Sequence, residues 1–159
     1  LKILKQKSQM LHKLFIALFI VSITEGPEKT SILIPPLDIP LILSANFGEL
    51  RAGHFHSGVD FKTGGVTGKK VYAAADGFVY RILVSPGGFG KALYIRHPNG
   101  MSTVYGHLDK FVPGIEDYVK KQQYSKRSFA VNIFPEANQF TVNKGDLIAF
   151  SGNTAKITA

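Results

Sequence analysis

Phe78-Val79-Tyr80-Arg81-Ile82-Leu83-Val84, Ser85-Pro86-Gly87-Gly88, Lys91-Ala92-Leu93-Tyr94-Ile95-Arg96, Pro98-Asn99-Gly100 and Ser102-Thr103-Val104-Tyr105 follow one another with almost nothing between them. Phe78, Tyr80, Ile82 and Val84 alternate with Val79, Arg81 and Leu83, the period of two that a strand imposes on its side chains. Ser85-Pro86-Gly87-Gly88 is turn chemistry. Asn99-Gly100 tolerates positive φ at both turn positions, which marks a hairpin. Three antiparallel strands in a meander are therefore expected.

Working outward, Ile115, Tyr118, Val119 and Gln122 follow Pro113-Gly114 at helical spacing with a basic opposite face, so one short helix interrupts the strands. Phe129, Val131 and Ile133 alternate again, and Val142 to Asp146 reads as a turn into a last strand, Leu147 to Ser151. On the other side, Pro27, Pro35, Pro36 and Pro40 make residues 26–44 an extended lead-in, because proline fixes φ and lacks a donor. The class is mainly β.

The chain has 159 residues, 45% hydrophobic and 19% charged, enough for one domain with a real core. Lys2, Lys5, Lys7 and Lys13 precede an apolar run from Leu14 to Ile23, which reads as a secretory signal and is shorter than the about 20 residues of a membrane span. Residues 1–25 are thus expected to be a signal peptide or upstream translation, with Met10 a plausible start. Export to the periplasm or cell envelope follows, with membrane attachment only through an uncleaved signal. Without the four lysines and Glu25 of that segment the net charge falls from +8 to +5, a mild basicity suited to an anionic envelope surface. No cysteine is present, which excludes disulfides and thiol catalysis within these residues.

Chemistry is concentrated in His56-Ser57-Gly58-Val59-Asp60. Imidazole and carboxylate are both zinc ligands. In a fully extended strand their residues would lie about 13 Å apart, so a shared metal requires a bend, which Gly58 is expected to supply. A catalytic zinc needs a third protein ligand. His54 shares a strand face with His56 but reads as solvated, and His97, before Pro98, reads as structural. Gly68-Lys69-Lys70 lacks the glycine and the serine or threonine of a phosphate loop. The cations Lys120, Lys121, Lys126 and Arg127 read as a solvated helix face, with no nucleic acid as partner.

Five ordered segments carry a resemblance. They are Asn46-Phe47-Gly48-Glu49-Leu50-Arg51 leading into His54 to Asp60, Val71 to Val79, Thr103-Val104-Tyr105-Gly106-His107-Leu108, Lys144 to Ala149, and Ser151-Gly152-Asn153-Thr154. Together they resemble the lysostaphin-type (LytM-type) zinc endopeptidases, which cut peptide cross-links in bacterial peptidoglycan. The resemblance implies an antiparallel-sheet domain of the duplicated hybrid motif type over residues 45–159, with one helical insertion. It implies zinc as cofactor, His56 and Asp60 as metal ligands, and His107 as the catalytic histidine, which the meander is expected to place at a strand end. It also implies a His-x-His segment shortly after Ser-Gly-Asn-Thr, supplying the third ligand. Residues 155–159 are Ala-Lys-Ile-Thr-Ala, and no histidine follows His107. The fold is therefore expected to be incomplete at its C-terminus, with an open sheet edge. One lost ligand is worth very roughly 3–4 kcal/mol, about a hundred- to a thousandfold in zinc affinity. Two functions follow from the resemblance. One is a zinc endopeptidase, inactive or weakly metal-binding in this chain. The other is a non-catalytic envelope module that binds peptidoglycan or regulates another hydrolase.

Overall fold

The computed structural model describes residues 33–154. Residues 1–25, expected to be a signal peptide or upstream translation, and the last five residues lie outside the described residues. None of the described helices is long and apolar enough to cross a membrane.

Among the described residues, eleven strands and one helix run in chain order: β1 (Leu43–Ala45), β2 (Leu50–Arg51), β3 (His54–Phe55), β4 (Asp60–Phe61), β5 (Lys70–Tyr72), β6 (Gly77–Val84), β7 (Lys91–Arg96), β8 (Ser102–Phe111), α1 (Pro113–Lys126), β9 (Val131–Ile133), β10 (Thr141–Val142) and β11 (Leu147–Ser151). The main antiparallel sheet has the order β10-β6-β7-β8-β11-β5, and β9 pairs with the other end of β6. Two small ribbons, β1-β4 and β2-β3, stand outside it. The fold is mainly β with one short helix, and the central meander β6-β7-β8 is the one expected from the sequence.

Three details of that meander differ from the simple alternation. A bulge between Val79 and Arg81 shifts the register of β6 against β7, so the core face holds Val79, Ile82 and Val84 rather than every second residue from Phe78. An inserted residue moves everything beyond it to the other face. Arg81 is thereby turned outward, its guanidinium 4.6 Å from the centre of the Tyr94 ring. At the hairpin, only Gly100 has positive φ (+84°). The Gly100 N–H donates to the His97 carbonyl at 3.0 Å, and His97 N–H to the Met101 carbonyl at 2.9 Å. Pro98 pre-sets the first turn position and Gly100 takes the left-handed one, so the loop has three residues rather than two. Finally, β8 does not stop near Tyr105 but runs on to Phe111.

Val79, Ile82, Leu93, Ile95, Leu108, Phe111 and Ile148 form the heart of the core. Helix α1 closes one side of it with Ile115 and Val119, each worth about 1.5–3 kcal/mol when buried. Its start is held by the Glu116 carboxylate, which accepts the Phe111 N–H at 3.0 Å, and Arg127 ends it in the left-handed conformation.

The described part of the proline-rich lead-in lies along β5. Ile34 N–H donates to the Ala74 carbonyl and Tyr72 N–H to the Pro36 carbonyl, both at 2.9 Å, and Leu37 bridges Val71 and enters the core. The edge of β5 away from β11 is thus occupied: backbone groups that the sheet leaves unpaired find partners in the lead-in.

Candidate metal centre

His56 follows β3 and Asp60 opens β4, with a bend at Gly58 between them. The chain bends as the shared site requires, but not for the reason expected. Gly58 does not have positive φ, and a Cβ built on it would meet nothing within 4 Å. Pairing of Asp60 with Ala45 across β1-β4 and the turn at Asn46–Glu49 set the geometry instead.

That turn grips His56 on both sides. Gly48 N–H donates to the His56 carbonyl and His56 N–H to the Glu49 carbonyl, both at 2.8 Å. The ring follows: His56 Nδ1 lies 2.9 Å from the Asn46 carbonyl oxygen. A carbonyl only accepts, so Nδ1 carries the hydrogen, and in the neutral ring Nε2 keeps its lone pair. Nε2 lies 3.3 Å from Asp60 Oδ1. The other carboxylate oxygen, Oδ2, accepts from Arg51 Nη2 at 3.0 Å, and Arg51 is also 3.5 Å from Glu49 Oε2. Arg51 and Asn46 are the site residues that sequence reasoning passed over. Both stand in the Asn46-Phe47-Gly48-Glu49-Leu50-Arg51 stretch, but nothing in their spacing marks them as partners of Asp60 and His56.

A lone pair facing a carboxylate oxygen is a repulsive contact unless an electrophile, a proton or a cation, lies between them. Ligands at about 2.0–2.2 Å from a tetrahedral ion stand roughly 3.3–3.5 Å apart, so the donor spacing fits a shared metal. The backing contacts fit too: a metal-binding imidazole characteristically donates its far N–H to a carbonyl, and a metal-binding carboxylate is itself hydrogen-bonded.

His107 does not join this pair in a cluster. Among the described residues, no three His, Cys, Asp or Glu side chains converge as a metal site. Nor does His107 stand at a strand end. It lies within β8 at φ +54°, in a bulge between the pairs Leu93–Tyr105 and Lys91–Leu108. Bulges re-aim side chains, and positive φ in a non-glycine residue is a costly conformation that the surroundings must hold. Its N–H donates to the Phe89 carbonyl at 2.8 Å, and its Nδ1 lies 2.8 Å from the Thr154 carbonyl oxygen.

The remaining described histidines do not cluster with this pair as a metal site. His54 is exposed on β3. His97 is buried, with Nδ1 at 2.7 Å from the Asp76 carbonyl and Nε2 at 2.9 Å from Thr103 Oγ1. Thr103 is in turn hydrogen-bonded to the Tyr105 hydroxyl, which accepts the Ala74 N–H at 2.8 Å. His12 lies outside the described residues.

This mainly antiparallel β domain thus carries a histidine–aspartate pair spaced for one cation. Residues 54–124 match the family model for peptidase family M23. Over that stretch, under half of its length, the chain is similar to that family in its lysostaphin-type (LytM-type) form. It is 36% identical over 99 residues, 62% of its own length, to an uncharacterized metalloprotease of Haemophilus influenzae. It is 40% identical over 62 residues, 39% of its length, to the DD-carboxypeptidase/endopeptidase Mpg of Neisseria meningitidis serogroup B and equally to that of Neisseria gonorrhoeae. The aligned stretches span only 16% and 14% of these relatives.

Proposed function

We propose that this domain is a zinc-dependent endopeptidase that cuts peptide cross-links of bacterial peptidoglycan, exported to the periplasm or cell envelope. The observation that carries the reading is the 3.3 Å approach of His56 Nε2 to Asp60 Oδ1, each backed on its far side by a hydrogen bond. The Neisseria relatives support the substrate class, being named DD-carboxypeptidase/endopeptidase.

His56 Nε2 and Asp60 Oδ1 would hold the ion. Bound zinc would lower the pKa of a water molecule to about 7 and polarise the scissile carbonyl. The protein's own part is to orient both donors before the ion arrives and to move protons. His107, with Nδ1 engaged by Thr154, offers Nε2 to take the proton of the attacking water and return it to the leaving amine. Such a base contributes about 10²–10⁴ in rate.

Among the described residues His56 and Asp60 are the two ligands brought together, so residues 33–154 by themselves are expected to bind zinc weakly and hydrolyse little. A second reading is a non-catalytic module that binds peptidoglycan or regulates another envelope hydrolase. One experiment separates the two. The purified chain is titrated with zinc by calorimetry and then incubated with purified sacculi, with Asp60→Ala in parallel. Release of soluble muropeptides that depends on zinc and on Asp60 supports the peptidase. Co-sedimentation with sacculi without release, unaffected by zinc, supports the module. Tight stoichiometric zinc binding unchanged in Asp60→Ala would remove the His56–Asp60 pair as the site.

A further inference from the structure

The three buried or half-buried histidines of this domain share one construction and differ at one atom. In each, Nδ1 faces a backbone carbonyl: Asn46 for His56, Asp76 for His97, Thr154 for His107. In His97 the second nitrogen is also occupied, by Thr103 Oγ1. In His56 and His107 no hydrogen bond to a described residue engages Nε2. The carbonyl partner decides which nitrogen carries the hydrogen, so it decides whether Nε2 can receive a proton.

Thr154 is unusually well placed to make that decision for His107. Its hydroxyl accepts the Lys91 N–H at 3.0 Å and donates to the Leu108 carbonyl at 2.9 Å. These two residues face each other across β7 and β8 at the mouth of the bulge that contains His107. Gly90, at φ +63°, lets Thr154 lie against the backbone: a Cβ there would run into the Thr154 hydroxyl and carbonyl. Gly152 makes the matching approach two residues earlier, where a Cβ would strike the Leu108–Asp109 backbone. One hydroxyl therefore satisfies a donor and an acceptor on the two strands flanking the bulge, and the same residue's carbonyl is brought to the imidazole.

Resting on the reading of His107 as the catalytic histidine, the geometry points to Thr154 as its positioning residue. The hydroxyl anchors Thr154 between β7 and β8, and the anchored carbonyl holds His107 in the Nδ1–H tautomer with Nε2 free to take a proton. Threonine or serine can do this, since the role needs a group that both accepts and donates; valine, of nearly the same shape, cannot.

The test uses the 159-residue chain labelled with ¹⁵N-histidine, free of metal and substrate, about two units above the ordinary histidine pKa of about 6.5. Long-range ¹H–¹⁵N correlation spectra report the tautomer of each ring. The expected result is Nδ1–H for His107 in the wild type, a mixture containing the Nε2–H form in Thr154→Val, and restoration in Thr154→Ser. The His97 signals serve as the internal measure of folding and stay in place. Should Thr154→Val disturb them, Thr154→Ala deletes the same hydroxyl with less bulk. An Nε2–H ring in the wild type, or an unaltered Nδ1–H ring in a folded hydroxyl-deleted variant, overturns the proposal. Failure of the peptidase reading shows elsewhere, as sacculus digestion that His107→Ala does not reduce, and leaves the tautomer result as it stands.

Discussion

Arg51 Nη2 donates to Asp60 Oδ2 at 3.0 Å, and this contact decides which carboxylate oxygen is left for His56 Nε2. The two residues are nine apart in sequence, on β2 and β4, which belong to different ribbons. Removing the guanidinium frees the carboxylate to rotate, so its lone pairs are no longer aimed before the ion binds. Arg51→Ala is expected to weaken zinc binding by about 10- to 100-fold. The pair is half-exposed, so stability changes by no more than about 1 kcal/mol. Competition against a chromogenic chelator, with a thermal melt alongside, measures both. An unchanged affinity would remove Arg51 from the site.

Two glycines test how far local backbone explains the site. Gly58 lies between the ligands, yet its Cβ position is open and its φ is not positive, so Gly58→Ala is expected to shift stability by no more than about 0.5 kcal/mol. Gly77, at the start of β6, is the reverse case: a Cβ there would collide with the Arg96 carbonyl, and Gly77→Ala is expected to cost about 1–3 kcal/mol. Urea unfolding of the two variants gives the comparison directly. A larger loss at Gly58 than at Gly77 would show that the bend is wrongly described.

His97 separates a structural histidine from a functional one. Replacing it by leucine takes the imidazole from the Asp76 carbonyl and leaves the Thr103 hydroxyl with the Tyr105 hydroxyl alone, at about 1–3 kcal/mol for a group left unsatisfied. His97→Leu is therefore expected to lower the unfolding midpoint markedly. Zinc affinity, measured well below that midpoint, should stay at the wild-type value.

The lead-in supplies a fourth expectation. Leu37 is 9% exposed, bridges Val71 and belongs to the core. Leu37→Ala is expected to destabilise the domain by about 2–3 kcal/mol, the lower part of the range for such truncations. Differential scanning calorimetry reads this as a lower melting temperature; an unchanged melt would mean that the lead-in does not pack on β5 in solution.

Much of the fold was legible because its signals are local. Alternation from Phe78 to Val84, the Pro98-Asn99-Gly100 turn, the helix after Pro113 and the last strand from Leu147 each follow from chemistry within a few residues. What escaped were insertions. The bulge between Val79 and Arg81 breaks an alternation that looks continuous in sequence, and the bulge at Gly106-His107 lies inside a strand that seemed to end there. The short strands β1 to β4 were also faint, since two- and three-residue strands carry almost no period.

The sequence alone pointed to His56 and Asp60 as proposed ligands, to His107 as proposed base, and to the family they resemble. Tertiary structure decided which atom of each is available. His56 is tied through Nδ1 to a carbonyl ten residues away, His107 to one forty-seven residues away, and Asp60 through Oδ2 to an arginine on another ribbon. Imidazole and carboxylate each carry two nearly equivalent donor atoms. Only the hydrogen-bond partners that folding brings to one of them make the other the reactive end.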